Sequence, residues 1–185
     1  MKRSTQFKLF KATEKAYGGS LLMKRKGRLH GRPLSTRESM HLVLRSTLAK
    51  GEWSFRRPCH ARKVDFILGR FAKRFGVTLI SVANSGNHLH IHLRLGCRHT
   101  YRAFIRAVTA AIAMAVTGAS RWKKLAIRFW DRRPFTRVVV GRKAFLLVED
   151  YVRINDIEAE LGMSRDEARS VVQRRRQWQR QPAPA

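Results

Sequence analysis

Hydrophobic residues alternate with polar ones in some stretches of the chain and recur every three or four residues in others. These two periods predict its elements. Alternation is clearest over residues 87–95, NHLHIHLRL, where Leu89, Ile91, Leu93 and Leu95 fall on one side of a strand and His88, His90 and His92 on the other. Ser39–Arg45 (SMHLVLR) reads as an earlier strand through Met40, Leu42 and Leu44. Residues 77–82 (VTLISV) form another, joined to the histidine strand by a tight link over 83–86, and a fourth lies within residues 126–140, ending at Val138, Val139 and Val140.

The helical period begins at residue 61, with Val64, Ile67 or Leu68, Phe71 and Phe75 on one stripe and Gly76 at its end. A second helix carries Tyr101, Phe104, Ile105, Val108, Ile112 and Val116 on one face. A third is expected over 143–161, stopped by Gly162, and Ser164 with Glu167 forms a capping box that opens a last helix ending near Arg174, Arg175 and Arg176. Up to its last strand, the order β-α-β-β-α-β-α predicts an α+β fold, a ferredoxin-like antiparallel sheet with helices packed on one face. Residues 1–37 hold eleven Lys and Arg, one acid and several glycines, which reads as a flexible basic arm. Residues 38–162 are then the folded domain, and 163–185 a basic C-terminal helix and tail.

Charge changes the picture. Forty Lys and Arg against 12 Asp and Glu in 185 residues give a formal +28, a field that suits a polyanion, with nucleic acid the first candidate. The basic residues are spread along the whole chain rather than gathered on one amphipathic helix, so a membrane surface is not the expected partner. The longest uncharged run, 107–120, is too short and too diluted by Thr, Gly and Ser to cross a bilayer. Cys59 and Cys97 are the only cysteines, too few for a disulfide framework, and Met1 leads into alternating basic and apolar residues with no apolar leader. A cytoplasmic, nucleoid-associated protein is expected.

The histidine face supplies candidate chemistry, because imidazoles at i and i+2 on a strand lie close enough to share one divalent ion. The third helix adds Tyr151 and Asn155, which are four apart and thus within about 40° of each other on one helical face. A phenol and an amide facing paired imidazoles suit phosphodiester chemistry, with metal polarisation and attack by the phenolate on phosphorus.

NHLHIHL at 87–93 and DYVRIN at 150–155 resemble the two signatures of the HUH single-strand DNA transposases, nearest to the REP-associated tyrosine transposases. The resemblance implies His88 and His90 as metal ligands, Asn155 as the third ligand, and Tyr151 as the nucleophile. It also implies Mg²⁺ or Mn²⁺ as cofactor, single-stranded or hairpin DNA as partner, and cleavage and rejoining through a covalent 5′-phosphotyrosine. Homodimers are frequent in that wider family. Gly86 stands where the family often has proline, and Asp156 follows Asn155 where the family has proline, which adds a charge near the site. His92 leaves His90 and His92 open as an alternative ligand pair. Two other readings remain: a non-catalytic basic protein that binds DNA or RNA, and a zinc-stabilised module using Cys59, His60, Cys97 and His99.

Overall fold

A computed structural model describes residues 17–18, 32–120 and 122–178; most of the basic arm and residues 179–185 of the tail lie outside them. In chain order the elements are β1 (Tyr17–Gly18), β2 (Ser39–Arg45), α1 (Pro58–Phe75), β3 (Val77–Asn84), β4 (His88–Leu95), α2 (Thr100–Thr117), β5 (Phe135–Val139), α3 (Gly141–Leu161) and α4 (Arg165–Trp178). The sheet order is β1-β5-β2-β4-β3, with every neighbouring pair antiparallel. Apart from the two-residue β1, this is the ferredoxin-like arrangement expected from the order of elements.

The two central strands build the core. Their register sets Met40 against Leu93, Leu42 against Ile91 and Leu44 against Leu89, so all the large apolar side chains of both strands share one face. Against it pack Val64, Ile67, Leu68 and Ala72 of α1 and Tyr101, Phe104, Val108, Ile112 and Val116 of α2. These are the stripes that the helical period predicts. The third helix lies across the opposite face, where Val148 and Val152 meet Ala83 of β3 and Val139 of β5.

Element boundaries differ from the expectation where local chemistry outranks the apolar pattern. Helix α1 starts three residues early because Pro58 occupies its first turn, where a missing N–H costs nothing. Strand β3 runs on to Asn84 through an irregularity between Leu79 and Ser81, which leaves only 85–87 as the link to β4. In that link Gly86 has φ 86°; its N–H donates to Asn84 Oδ1 at 3.1 Å, and its carbonyl accepts from Phe55 N at 2.8 Å. The expected strand within 126–140 shortens to Phe135–Val139. Before it, Phe129 and Trp130 turn inward against Phe55, and Asp131 accepts from the backbone and hydroxyl of Thr47.

Two glycines make opposite predictions. Gly76 ends α1 in the left-handed conformation, and its carbonyl accepts from Gly96 N at 2.8 Å; a Cβ on Gly96 would lie 2.7 Å from that oxygen. Gly69 sits within α1 with nothing within 4 Å of its would-be Cβ. Gly96→Ala should therefore lower stability by about 1–3 kcal/mol through overpacking, and Gly69→Ala should raise it by about 0.5–1 kcal/mol through helix propensity. Denaturant midpoints of the two variants, measured against the parent, check both signs.

Candidate active site

The register that puts leucines on one side of the sheet puts histidines on the other. His41 lies opposite His92, Val43 opposite His90, and Arg45 opposite His88. Because α3 covers this face, His41 is 9% exposed, His90 6% and His92 0%, while His88 at the strand end is half-buried. His41 Nε2 and His90 Nδ1 are 3.2 Å apart with their rings stacked, and the His88 and His90 rings meet edge to face at 4.8 Å. His92 stands apart: its Nε2 hydrogen-bonds Ser39 Oγ at 2.8 Å, and its ring packs on Phe145 at 4.8 Å. Its contacts are those of a core histidine under α3.

Helix α3 leaves β5 through Gly141 and carries Tyr151 over the histidines. The phenol ring stands edge-on to His90 at 5.3 Å and to His41 at 5.7 Å, and the residue remains 37% exposed. The structure thus brings Tyr151, His88 and His90 into one contiguous group. Asn155, one turn further along and 9% exposed, donates from Nδ2 to the Tyr151 carbonyl at 2.6 Å. That bond fixes the amide's orientation, so Oδ1 is the atom left for a ligand.

The donor set suits a divalent cation. His88 Nδ1 is 2.6 Å from Asn87 Oδ1, an acceptor that holds the proton on Nδ1 and leaves Nε2 with its lone pair. Burial, first, keeps these imidazoles neutral, as ligands must be. It lowers His90 to about 3, with His41, His88 and Arg165 adding repulsion, and lowers His41 to about 4, with His92 and Arg137 contributing; His88 is lowered too, by burial and then Arg45. Among the described residues no three of His, Cys, Asp and Glu are grouped to hold a metal, so an ion at His88 and His90 would depend on the Asn155 amide for a third protein ligand.

Two members of the site escape the sequence reading. His41 has the parity opposite to Met40, Leu42 and Leu44, but only the pairing of β2 with β4 reveals its partner. Arg165 carried no signal beyond following a capping serine. Its guanidinium lies 5.4 Å from the centre of the Tyr151 ring. The capping box holds it at the start of α4, with Ser164 N and Oγ each donating to Glu167 Oε2 at 2.8 Å. Ile154 and Ile157 of α3 pack on Ala168 and Val172 of α4, bringing that helix start back to the tyrosine.

The carboxyl that Asp156 adds stays mostly ionised at neutral pH although its surroundings oppose the charge. Burial, then Glu160 and Asp65, push its carboxyl up to about 6, and it belongs to an acidic group between α1 and α3. Cys59 is exposed, and His60 turns its Nδ1 to the carbonyl of Ser54 at 3.0 Å.

Comparison with known proteins adds to the fold. No family model and no curated protein matches the chain. Among solved structures, a REP-associated tyrosine transposase bound to a REP hairpin is similar, with a TM-score of 0.55 and 10% identity over 72% of this chain and 75% of that one. A candidate transposase from Deinococcus radiodurans R1 is also similar, with a TM-score of 0.43 and 17% identity over 71% of this chain and 97% of that one. At 10% identity the first likeness is one of fold. Among the described residues, no helix is long and apolar enough to cross a membrane.

The neutral imidazoles make stability depend on pH in a definite direction. His41 and His90 titrate at about 4 and about 3 in the fold, against an ordinary 6.5, so below pH 6.5 the unfolded chain binds protons that the folded chain refuses. In chelator, the denaturant midpoint should fall as pH drops from 6.5 towards 4. His41→Gln and His90→Gln should each make that fall shallower.

Proposed function

We propose that the chain is a transposase-like HUH endonuclease, which binds, cleaves and rejoins single-stranded DNA through a covalent 5′-phosphotyrosine at Tyr151. The observation that carries this reading is the half-exposed Tyr151 phenol, packed on the His41–His90 pair beneath the Arg165 guanidinium. The fold likeness to a transposase bound to a REP hairpin supports a hairpin-bearing strand as the substrate to try.

His88 Nε2, His90 and Asn155 Oδ1 would hold Mg²⁺ or Mn²⁺, which supplies Lewis-acid polarisation of the scissile phosphodiester when bound. The chain's own residues do the rest. Arg165 lends positive charge where both the phosphate and the phenolate are negative, and the histidines, kept neutral by burial, remain free to act as ligands. The Tyr151 hydroxyl loses its proton to solvent and its oxygen attacks phosphorus. The P–O3′ bond breaks, the 3′ oxygen leaves as a hydroxyl, and the 5′ side stays on the tyrosine. Because the phosphotyrosine conserves the phosphodiester energy, a second 3′ hydroxyl can reverse the step, so strand transfer needs no nucleotide cofactor.

Incubation with a 3′-labelled, hairpin-bearing single strand and Mn²⁺, followed by denaturing electrophoresis, reads the adduct directly. The parent should retain label, Tyr151→Phe none, and Arg165→Gln about a hundredfold less rapidly formed adduct. His90→Ala should lose divalent-dependent adduct formation by at least about a hundredfold while keeping much of the DNA affinity, which phosphate contacts supply. His92→Ala should do less. Label retained by Tyr151→Phe would refute the assignment, and a parent that binds such strands yet never becomes labelled would make this a non-catalytic DNA-binding protein.

A further inference from the structure

We infer that a cavity of about 460 Å³ behind β5 is a second DNA-contact site that takes backbone phosphates, on the face of the sheet opposite Tyr151. Four arginines from three parts of the chain line it, namely Arg32, Arg102, Arg106 and Arg133, over apolar surface from Tyr101 and Ile105. That the bound strand is the one cleaved at Tyr151 rests on the function proposed above; that the cavity binds phosphate does not.

The arginines stand where folding alone would not put them. Arg102 and Arg106 are four apart on α2, where like charges disfavour a helix. Arg102 also lies in the first turn, at the positive end of the helix dipole, and α2 contains no acidic residue to offset either effect. Among the described residues Arg102, Arg106 and Arg133 take part in no ion pair. Arg32 is anchored at the rim by hydrogen bonds to Thr136 Oγ1, at 2.9 Å, and to the Pro134 carbonyl. Like charges gathered in a concave surface focus the field and raise the local concentration of an anion. The space exceeds what one phosphate needs, and its apolar floor suits the sugar or base attached to it.

Its position joins it to the catalytic face. Pro134, which lines the cavity, directly precedes Phe135, whose ring is 6.3 Å from that of His41 on the other side of the sheet. The cavity and the histidines are therefore separated by little more than the sheet. A DNA strand held at Tyr151 would have little more than the thickness of the sheet to pass before its next phosphates reach the arginines.

The test uses the full chain and a fluorescent hairpin-bearing single strand, with affinity measured across a salt series. The triple variant Arg102→Gln, Arg106→Gln, Arg133→Gln is set against a charge-matched control, Lys63→Gln, Arg70→Gln, Lys73→Gln, on the exposed side of α1. If three phosphates are lost, the slope of log K against log[salt] should become shallower by about 2, roughly 0.7 per contact, with weaker affinity than the control at equal net charge. Arg102→Gln and Arg133→Gln alone should each remove about 0.7, which keeps the test valid should the triple variant not fold. Equal slopes for cavity and control variants would overturn the inference in favour of a diffuse positive field. So would a cavity that binds inorganic phosphate by calorimetry while its loss leaves the DNA slope unchanged. A parent that forms no Tyr151 adduct yet shows the cavity-specific slope change would refute the proposed chemistry and leave this site standing.

Discussion

The antiparallel pairing of β2 with β4 is the constraint on which the rest depends. Side chains alternate along a strand, so the register that joins Leu42 to Ile91 necessarily joins His41 to His92 and sets His90 beside Val43 on the reverse face. A slip of one residue would carry leucines to the α3 side and imidazoles into the core between α1 and α2. The core cannot accept that. The burial of Met40, Leu42, Leu44, Leu89, Ile91, Leu93 and Leu95 therefore holds the histidine group in place, although these residues lie on the opposite face of the sheet.

Covering the histidine face then sets its electrostatics. Helix α3 removes His41 and His90 from water, and desolvation in a basic surrounding keeps both neutral. Neutral imidazoles cost less to bury than charged ones and are the form that can ligate. The same covering leaves Tyr151 at the rim, partly exposed to solvent.

The few acids of the chain are concentrated where they fasten α3 to α4. Asp150 pairs with Arg176 at 2.9 Å and Glu158 with Arg165 at 3.4 Å, while Glu149 and Asp166 pair with arginines within their own helices. Pairs this exposed each contribute little stability. Together with the Ile154, Ala168 and Val172 contact they nonetheless fix where α4 starts, and so where Arg165 stands. With those carboxylates paired there, Arg102, Arg106 and Arg133 take part in no ion pair among the described residues.

Much of this was legible in the sequence, because it depends on periodicity. Alternation gave β2 its seven residues and the histidine strand its two faces, the 3.6-residue period gave the helical stripes, and Gly76, Gly162 and the Ser164–Glu167 box marked helix ends by local backbone chemistry. Tyr151 and Asn155 were legible as a pair because four residues make one helical turn. What periodicity does not carry is which strand lies beside which, and which helix crosses which face. His41 had the right parity but acquired a partner only when β2 paired with β4, 49 residues away along the chain. Arg165 came to Tyr151 only through the packing of α4 on α3, and the cavity arginines are collected from separate loops and one helix turn. A sequence specifies local geometry residue by residue through backbone preference and alternation. Contacts between distant segments follow from burying one shared apolar surface, and that is decided only when the whole chain has packed.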